Sequence, residues 1–242
     1  MAAPAIGVRP LWVPNPSSHI DWSHPLAQGL VTFAIPAHAF DYATGLVLTQ
    51  GGTAHAQTNQ GPGVTTFSST AYWKIGNGVL LGNKSTFSIF AGWKVSSTIN
   101  GGTGRAIYSE RATSGNDICK LTWGTSAEVL RVVYRDDAGT LTNTNSAGSV
   151  PVNTYNVVGT VRTSDTSFAT WINGQRDSTF SPAGMTATFT NANMQRWIGN
   201  DAAATTSSCS DGIVNWVACW TRDLSATEIA ALTADPFCML VR

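Results

Sequence analysis

Three glutamates are the side chains of this 242-residue chain best suited to acid–base chemistry: Glu110, Glu128 and Glu228. Hydrolysis of a glycosidic bond needs two carboxyl groups that face each other across a groove, about 5 to 9 Å apart. Alternate residues of a strand share one face, so a pair carried by one strand would stand two positions apart. The glutamates lack that spacing, and the adjacent Asp136 and Asp137 precede Ala-Gly, which favours a turn. We therefore expect no catalytic carboxylate pair and no enzyme activity.

The histidines and cysteines indicate neither a nucleophile nor a zinc site. All four histidines lie in the first quarter of the chain, without metal-binding spacing and without a Gly-x-Ser-x-Gly motif, so structural roles are predicted. The four cysteines lack Cys-x-x-Cys spacing and are too few for a disulfide framework. Buried free thiols are favoured, with a Cys209–Cys219 disulfide as the alternative. The residues concerned are His19, His24, His38, His55, Cys119, Cys209, Cys219 and Cys238.

Acidic side chains next to amides could bind calcium, which prefers carboxylate, amide and carbonyl oxygens. The candidate ligands are Asp117, Asp201 and Asp211, of which the first two follow Asn116 and Asn200. Asp and Asn also favour turns, because their side chains bond to the neighbouring backbone. The turn interpretation is preferred for all three, and no other metal or cofactor is predicted.

Tryptophans are the residues that would contact a sugar, because a pyranose has an apolar face that packs on an aromatic ring. Trp93, Trp216 and Trp220 lie in strongly apolar segments and are predicted to be core residues. Trp73 and Trp123 have polar neighbours and stand near strand ends, so they are the candidates for an exposed glycan platform. Core or rim packing is nevertheless the favoured role for both.

The segments that must position these residues are almost all strands. Apolar residues alternate along residues 87–95, which predicts a strand with one face on a core. Asn173-Gly174 between two such segments predicts a type I′ hairpin turn, since both residues accept positive φ. About 12 to 14 strands are expected, a number that suits a jelly-roll sandwich better than an immunoglobulin-type domain. The predicted fold is all-β: a two-sheet antiparallel jelly-roll sandwich with one short C-terminal helix.

The single predicted helix begins after Ser225. That hydroxyl can cap the backbone N–H of Glu228, and the Glu228 carboxylate can reach back, as in a capping box. Leu224, Ile229 and Leu232 supply the apolar stripe. Glu228 thus has a structural explanation.

Residues 1–28 are predicted to form an extended, proline-rich N-terminal arm, followed by one jelly-roll domain over residues 29–242. Five prolines in the first 28 residues exclude a helix there. Such an arm would either lie on its own domain as a strand-like segment or reach a neighbouring subunit.

Charge argues against two classes of partner. Charged residues make up 12% of the chain and the net charge is zero, without any run of Lys or Arg. Nucleic acid and anionic membranes are therefore not expected as partners.

The N-terminus lacks the pattern of a secretory signal, and no stretch reaches membrane-spanning length. Folding in the cytoplasm is the corresponding expectation.

The order of these features resembles the laminin-G-like branch of the concanavalin A-like lectin/glucanase superfamily. The resemblance implies a core strand, a strand ending in an x-Asn-Gly hairpin, and a terminal strand followed by a short helix. Glucanases of that superfamily carry a Glu-x-Asp-x-(x)-Glu strand, which this sequence lacks. The segments that carry the resemblance are residues 87–93, 106–109, 168–174, 197–199 and 220–232.

Two shorter strings resemble lectin-like proteins carried by tailed bacteriophages. These are His-Pro-Leu-Ala-x-Gly-Leu at residues 24–30 and Asp-Pro-Phe at residues 235–237. The resemblance implies a non-enzymatic virion protein, on the capsid or the tail, assembled in the host cytoplasm. Its partners would be other virion proteins, further copies of itself and a glycan. The alternatives are a carbohydrate-binding module and, less favoured, a glycoside hydrolase with an unrecognised site.

Overall fold

A computed structural model describes residues 17–51, 56–58, 61–65, 72–78, 80–95, 105–112, 118–124, 129–135, 141–180, 193–201 and 212–241. The described residues form nineteen strands, one α-helix and short 3-10 turns at Pro25–Ala27 and Pro36–His38. Thirteen of the strands have five or more residues. The elements are β1 (His19–Ile20), β2 (Leu30–Ile35), β3 (Phe40–Asp41), β4 (Leu46–Val47), β5 (Thr49–Gly51), β6 (Ala56–Thr58), β7 (Gly61–Thr65), β8 (Tyr72–Asn77), β9 (Phe87–Val95), β10 (Arg105–Ala112), β11 (Ile118–Trp123), β12 (Val129–Arg135), β13 (Leu141–Ser149), β14 (Asn156–Ser164), β15 (Ser167–Ile172), β16 (Gln175–Phe180), β17 (Met194–Ile198), β18 (Gly212–Trp220), α1 (Ala226–Ala234) and β19 (Leu240–Val241).

The strands build two large antiparallel sheets. The larger has ten strands, in the order β16-β15-β14-β9-β18-β2-β3-β4 with β7 on β18 and β6 on β7. The smaller has seven, in the order β13-β12-β11-β10-β17-β8-β5. The predicted all-β, two-sheet jelly-roll sandwich with one short C-terminal helix is confirmed.

The main hydrophobic core lies between the two sheets. From β9 of the larger sheet it takes alternate residues, among them Phe87, Ile89 and Trp93, as the period of two predicts. From the smaller sheet it takes Trp73 and Trp123, and the Trp93 and Trp123 rings meet edge to face with centroids 5.4 Å apart. Each sheet therefore contributes one buried face to this core.

A second core covers the outer face of the larger sheet. There Trp216 and Trp220 of β18 meet Ile229 and Leu232 of α1. Residues 17–28 and 223–241 supply this covering, and we call them the terminal layer. All three tryptophans predicted for the core, Trp93 included, are buried. Part of the layer is the short antiparallel pair of β1 with β19.

The predicted N-terminal arm is in part a component of the domain. Leu26 and Ala27 are buried in the second core, and the Trp220 indole N–H donates to the Leu26 carbonyl oxygen at 2.6 Å. Residues 17–28 therefore lie on their own domain, as the first alternative for the arm predicts, because their apolar side chains complete its core. Residues 1–16 fall outside the described part of the chain.

Two local predictions are confirmed. Ser225 caps α1, with its Oγ accepting from Glu228 N and the Glu228 carboxylate accepting from Ser225 N. Asn173 and Gly174 both have positive φ, 51° and 77°, as a type I′ turn requires. No helix in the described ranges has the length and apolar character needed to span a membrane.

The cysteines within the described residues are free thiols. Cys119 and Cys219 are buried and Cys238 is partly buried. Cys219 is thus a buried free thiol, as favoured, and Cys209, the other half of the alternative disulfide, is not among the described residues.

Candidate functional site

The outer face of the smaller sheet differs from the other sheet faces because its side chains are mostly polar. Along β10, β11 and β12 most residues between the inward-facing core positions are polar or charged, so alternation places them together on the outside, where Ile118 and Val133 are apolar exceptions. The same face extends across β17 and β8, where Trp197 stands opposite Lys74. We call this surface the polar face. Its residues are Tyr72, Lys74, Ser109, Arg111, Lys120, Thr122, Arg131, Arg135, Gln195 and Trp197.

One end of the polar face is aromatic. The Tyr72 and Trp197 rings meet edge to face with centroids 4.4 Å apart, and Lys74 Nζ lies 5.8 Å from the centroid of the Trp197 ring. Gly51 is the cross-strand partner of Tyr72, and a Cβ at Gly51 would lie 2.4 Å from Tyr72 Cζ. The Tyr72 ring therefore lies directly over the Gly51 backbone, a close approach that only glycine allows.

The middle of the polar face contains a buried carboxylate between two cations. Asp201 Oδ2 accepts from Arg111 Nη1 at 2.9 Å and from Lys120 Nζ at 3.4 Å. The Asp201 side chain is 1% exposed, while those of Lys120 and Arg111 are 12% and 30% exposed. Burial lowers the pKa of Lys120, and the Asp201 carboxylate opposes that shift. Asp201 thus holds two long cationic side chains in fixed positions on the sheet.

Beside this triad lie two polar groups that no described residue hydrogen-bonds. Ser109 and Trp197 are register partners on β10 and β17, and both are buried. Among the described residues, Ser109 Oγ and Trp197 Nε1 have no hydrogen-bond partner. Buried polar groups in native proteins are nearly always satisfied, by protein, water or ligand. These neighbouring groups give the face a capacity for hydrogen bonding that its own protein contacts do not use.

Arg131 is the remaining cation of the central strands. It is half-buried and makes no hydrogen bond or ion pair with another described residue. It lies close enough to contribute, with Arg111, to the lowered pKa of Lys120. Its guanidinium is therefore free to bind an anion.

The two predicted glycan-platform tryptophans lie elsewhere. Trp73 is 3% exposed and Trp123 is fully buried, and both face the core between the sheets. The expectation of an exposed platform is wrong for both rings. Their polar neighbours Lys74 and Thr122 point to the opposite face of the strand, so they carry no information about the exposure of the rings.

The calcium candidates gain little from the structure. Asp201 has its Oδ2 bonded to two cations, and Asn200 Oδ1 accepts from Asp201 N at 2.8 Å, which is the predicted turn-type contact. Asp117 and Asp211 are not among the described residues. Within the described ranges, no three His, Cys, Asp or Glu side chains lie together as metal ligands would.

The described glutamates have structural partners. Glu110 faces inward, and its carboxylate accepts from the backbone N–H groups of Leu80 and Leu81 while burial raises its pKa. Glu228 belongs to the helix cap and to an ion pair with Arg222. Glu128, Asp136 and Asp137 lie outside the described residues. Neither described glutamate is on the polar face.

The described histidines also have structural or surface positions. His24 Nδ1 accepts from Leu26 N at 3.2 Å and so caps a 3-10 turn. His38 Nδ1 lies 2.7 Å from the Tyr42 hydroxyl, and burial lowers the pKa of His38. His19 is exposed in β1, and His55 is not described.

Sequence patterns did not indicate Trp197, Tyr72 or Ser109 as site residues. A usable indication was present in β17, where Gln195 and Trp197 alternate with Met194, Arg196 and Ile198. Within a strand, a tryptophan whose same-face neighbour is polar is a better surface candidate than one with polar residues on both sides. Their assembly into one site also depends on sheet order, because β17 lies between β10 and β8.

Two packed antiparallel sheets, one covered on both faces and the other bearing a polar outer face, define a lectin-like β-sandwich. The chain belongs to the Laminin_G_3 family of the concanavalin A-like lectin/glucanases superfamily, whose model matches residues 67–230. No curated protein sequence matches the chain.

Solved structures share the fold at low sequence identity. The binding domain of Paraclostridial Mosquitocidal Protein 1 is 10% identical with a TM-score of 0.67; the match covers 86% of this chain and 52% of that one. The chain thus spans about half the length of that protein. Domain 4 of AbnA, an extracellular arabinanase from Geobacillus stearothermophilus solved with arabinotriose, is 13% identical with a TM-score of 0.62 (84% and 98% covered). The Ruminococcus gnavus IT-sialidase CBM40 bound to alpha2,3 sialyllactose is 15% identical with a TM-score of 0.56 (74% and 97% covered).

Proposed function

We propose that this chain is a non-enzymatic carbohydrate-binding domain and that it holds a glycan on the polar face. The observation that carries the proposal is the aromatic end of that face, where the half-buried Tyr72 ring packs on the buried Trp197 next to the half-buried Lys74. A sugar offers an apolar face to an aromatic ring and hydroxyl groups to polar side chains. An aromatic ring and hydrogen-bonding side chains that would complement these features lie here on adjacent strands.

The position of the face in the fold also supports binding. The terminal layer covers the outer face of the larger sheet with apolar side chains, whereas long polar side chains such as Lys74 and Arg131 line the smaller sheet. Two proteins similar in fold were solved with sugars, namely the arabinanase domain with arabinotriose and the sialidase module with sialyllactose. A glycoside hydrolase is disfavoured because Glu110 and Glu228 both lie away from the polar face in structural bonds.

The test is a glycan array read with three purified proteins: the natural chain, Tyr72→Ala, and Trp22→Ala. Trp22 is 52% exposed in the terminal layer, so its removal is a matched loss of an aromatic ring on the other side of the sandwich. We expect Tyr72→Ala to weaken binding about tenfold, because the ring contact is lost, and Trp22→Ala to bind like the natural chain.

Circular dichroism and thermal melting of the variants check that each is folded. A blank array for the folded natural chain would remove the proposal. Binding lost in Trp22→Ala but retained in Tyr72→Ala would place the site on the terminal layer instead.

We further propose that the domain is exposed on the particle of a tailed bacteriophage, as a capsid decoration or tail protein. The support is the resemblance of residues 24–30 and 235–237 to lectin-like phage proteins. In this chain, Leu26 and Phe237 of those strings pack in or against the second core. Mass spectrometry of purified particles and cryo-electron microscopy of the same particles test the assignment. Absence of the chain from the particles would reject it.

A further inference from the structure

We infer that the glycan held on the polar face is acidic, carrying a carboxylate or sulfate group. The inference rests on the proposed function and names the class of its ligand. Besides Arg135, the polar face contains four cations, of which two bond to Asp201 and two have no acidic partner among the described residues. These four cations are Lys74, Arg111, Lys120 and Arg131.

Among the described residues, only part of this positive charge is neutralised. Asp201 bonds to both Arg111 and Lys120, so one carboxylate serves two cations. Lys74 has the Trp197 ring as its partner, a contact that leaves its charge unneutralised. Arg131 has no ion pair among the described residues. A neutral sugar would leave this positive charge unneutralised, whereas an anion placed over Lys120 and Arg131 would neutralise part of it.

Arg131 is the residue we assign to the anion. Guanidinium groups bind carboxylate and sulfate oxygens through two parallel N–H donors, which gives both strength and orientation. Its half-buried position strengthens the interaction relative to one in bulk water. Lys120, held by Asp201, would add a second and more weakly directed contact.

The separation between Arg131 and the aromatic end constrains the ligand. Arg131 lies on β12 and Trp197 on β17, with β11 and β10 between them. Three strand spacings correspond to about 14 Å between the main chains. The acidic group and the ring-stacked sugar therefore belong to different units of one oligosaccharide, so an acidic monosaccharide alone would bind weakly.

The experiment uses matched pairs of polymers that differ only in charge: polygalacturonate against its methyl ester, and chondroitin sulfate against its desulfated form. Binding of the full chain is measured by isothermal titration at low and at physiological salt. We compare Arg131→Gln with Lys84→Gln, which removes one exposed positive charge from a turn outside the polar face.

We expect at least one acidic polymer to bind about tenfold or more tightly than its neutral partner. Arg131→Gln should remove most of that preference, and Lys84→Gln should keep it. The pair that shows the preference identifies the anion as carboxylate or sulfate.

Three results would overturn the inference. Equal binding to the charged and neutral members of each pair would reject an acidic ligand while leaving the proposed glycan binding intact. If Arg131→Gln and Lys84→Gln lost the preference for the acidic polymer equally, that preference would be a non-specific charge attraction, which salt screens. No binding to any glycan would remove the proposed function and the inference together.

Discussion

The two sheets of this sandwich share one core but differ on their outer faces. On the larger sheet, alternate residues of β18 face outward and are tryptophan, alanine and tryptophan: Trp216, Ala218 and Trp220, all buried under the terminal layer. On the smaller sheet, the outward residues of β11 include Lys120 and Thr122. The same period of two thus builds a third layer on one side and an uncovered row of polar side chains on the other among the described residues. On the function proposed above, stability would reside mainly in the larger sheet and binding in the smaller.

The largest expected difference in stability is between two variants that each lose one aromatic ring, one on each side of the sandwich. Trp220→Ala should lower the free energy of unfolding by about 3 to 5 kcal/mol, because a fully buried ring leaves a cavity and the Leu26 carbonyl oxygen loses its donor. Tyr72→Ala, at a half-buried ring, should cost about 1 kcal/mol. Urea denaturation of both variants measures this. Equal losses would contradict the division of roles between the sheets.

The next effect concerns the buried carboxylate of the polar face. Asp201→Asn should lower the free energy of unfolding by about 2 kcal/mol, because Lys120 would keep its charge in a buried position without a counter-ion. Asp223→Asn, at an exposed residue near the start of α1, is the control and should change stability little. Similar small changes in both would mean that the Asp201 bonds contribute no more than a surface contact.

A smaller effect, dependent on pH, is expected in the terminal layer. Although burial favours the protonated form, hydrogen bonds from Arg222 and Ser225 lower the pKa of Glu228 from 4.5 to about 2. Its stabilising contribution is therefore complete above about pH 4.5 and is lost as the pH falls toward 2. At neutral pH, Glu228→Gln should cost about 1.5 kcal/mol for the weakened cap and ion pair.

At each pH, the free energy of unfolding of the natural chain minus that of Glu228→Gln gives the contribution of this carboxylate separately from those of other acidic groups. The difference between the two should shrink between pH 4.5 and 2. A difference that stays constant through that window would show that the charge of Glu228 is not what stabilises α1.

The smallest effect tests where the terminal layer meets the hairpin of β15 and β16. Gly174 has φ +77°, and a Cβ there would lie 3.2 Å from Thr233 Oγ1 of α1. Gly45 has φ +71° with nothing within 4 Å. Both alanine variants should lose about 1 kcal/mol for the left-handed backbone, and Gly174→Ala a few tenths more for the contact with α1. Thermal unfolding measures both losses. Identical losses would show that a Cβ at position 174 makes no unfavourable contact with α1.

Sequence patterns predicted well those features whose partners are close in the chain. The Asn173-Gly174 turn and the Ser225–Glu228 cap depend on residues no more than three positions apart, and both have the expected geometry. The alternation in β9 likewise determines which residues face the core. These interactions need no knowledge of which strands pair.

The site could not be predicted in the same way. Lys74, Arg111, Lys120 and Arg131 come from four strands, and only the order of the smaller sheet brings them together. The candidate platform of Trp73 and Trp123 fails for a related reason, because the polar residues next to these rings in the chain lie on the opposite face of the strand. In a strand, the residues that share a surface with a ring are two positions away or on the paired strand.

The pairing of β1 with β19 determines how the domain can be tethered. His19 stands opposite Val241 and Ile20 opposite Leu240, so the chain passes into and out of the described sandwich at a single place. That place is in the terminal layer, with the larger sheet and the core between it and the polar face. A scaffold joined through either segment would hold the domain from behind and present the cationic, aromatic surface outward. Attachment and recognition would then occupy opposite sides of the molecule and would not compete for area.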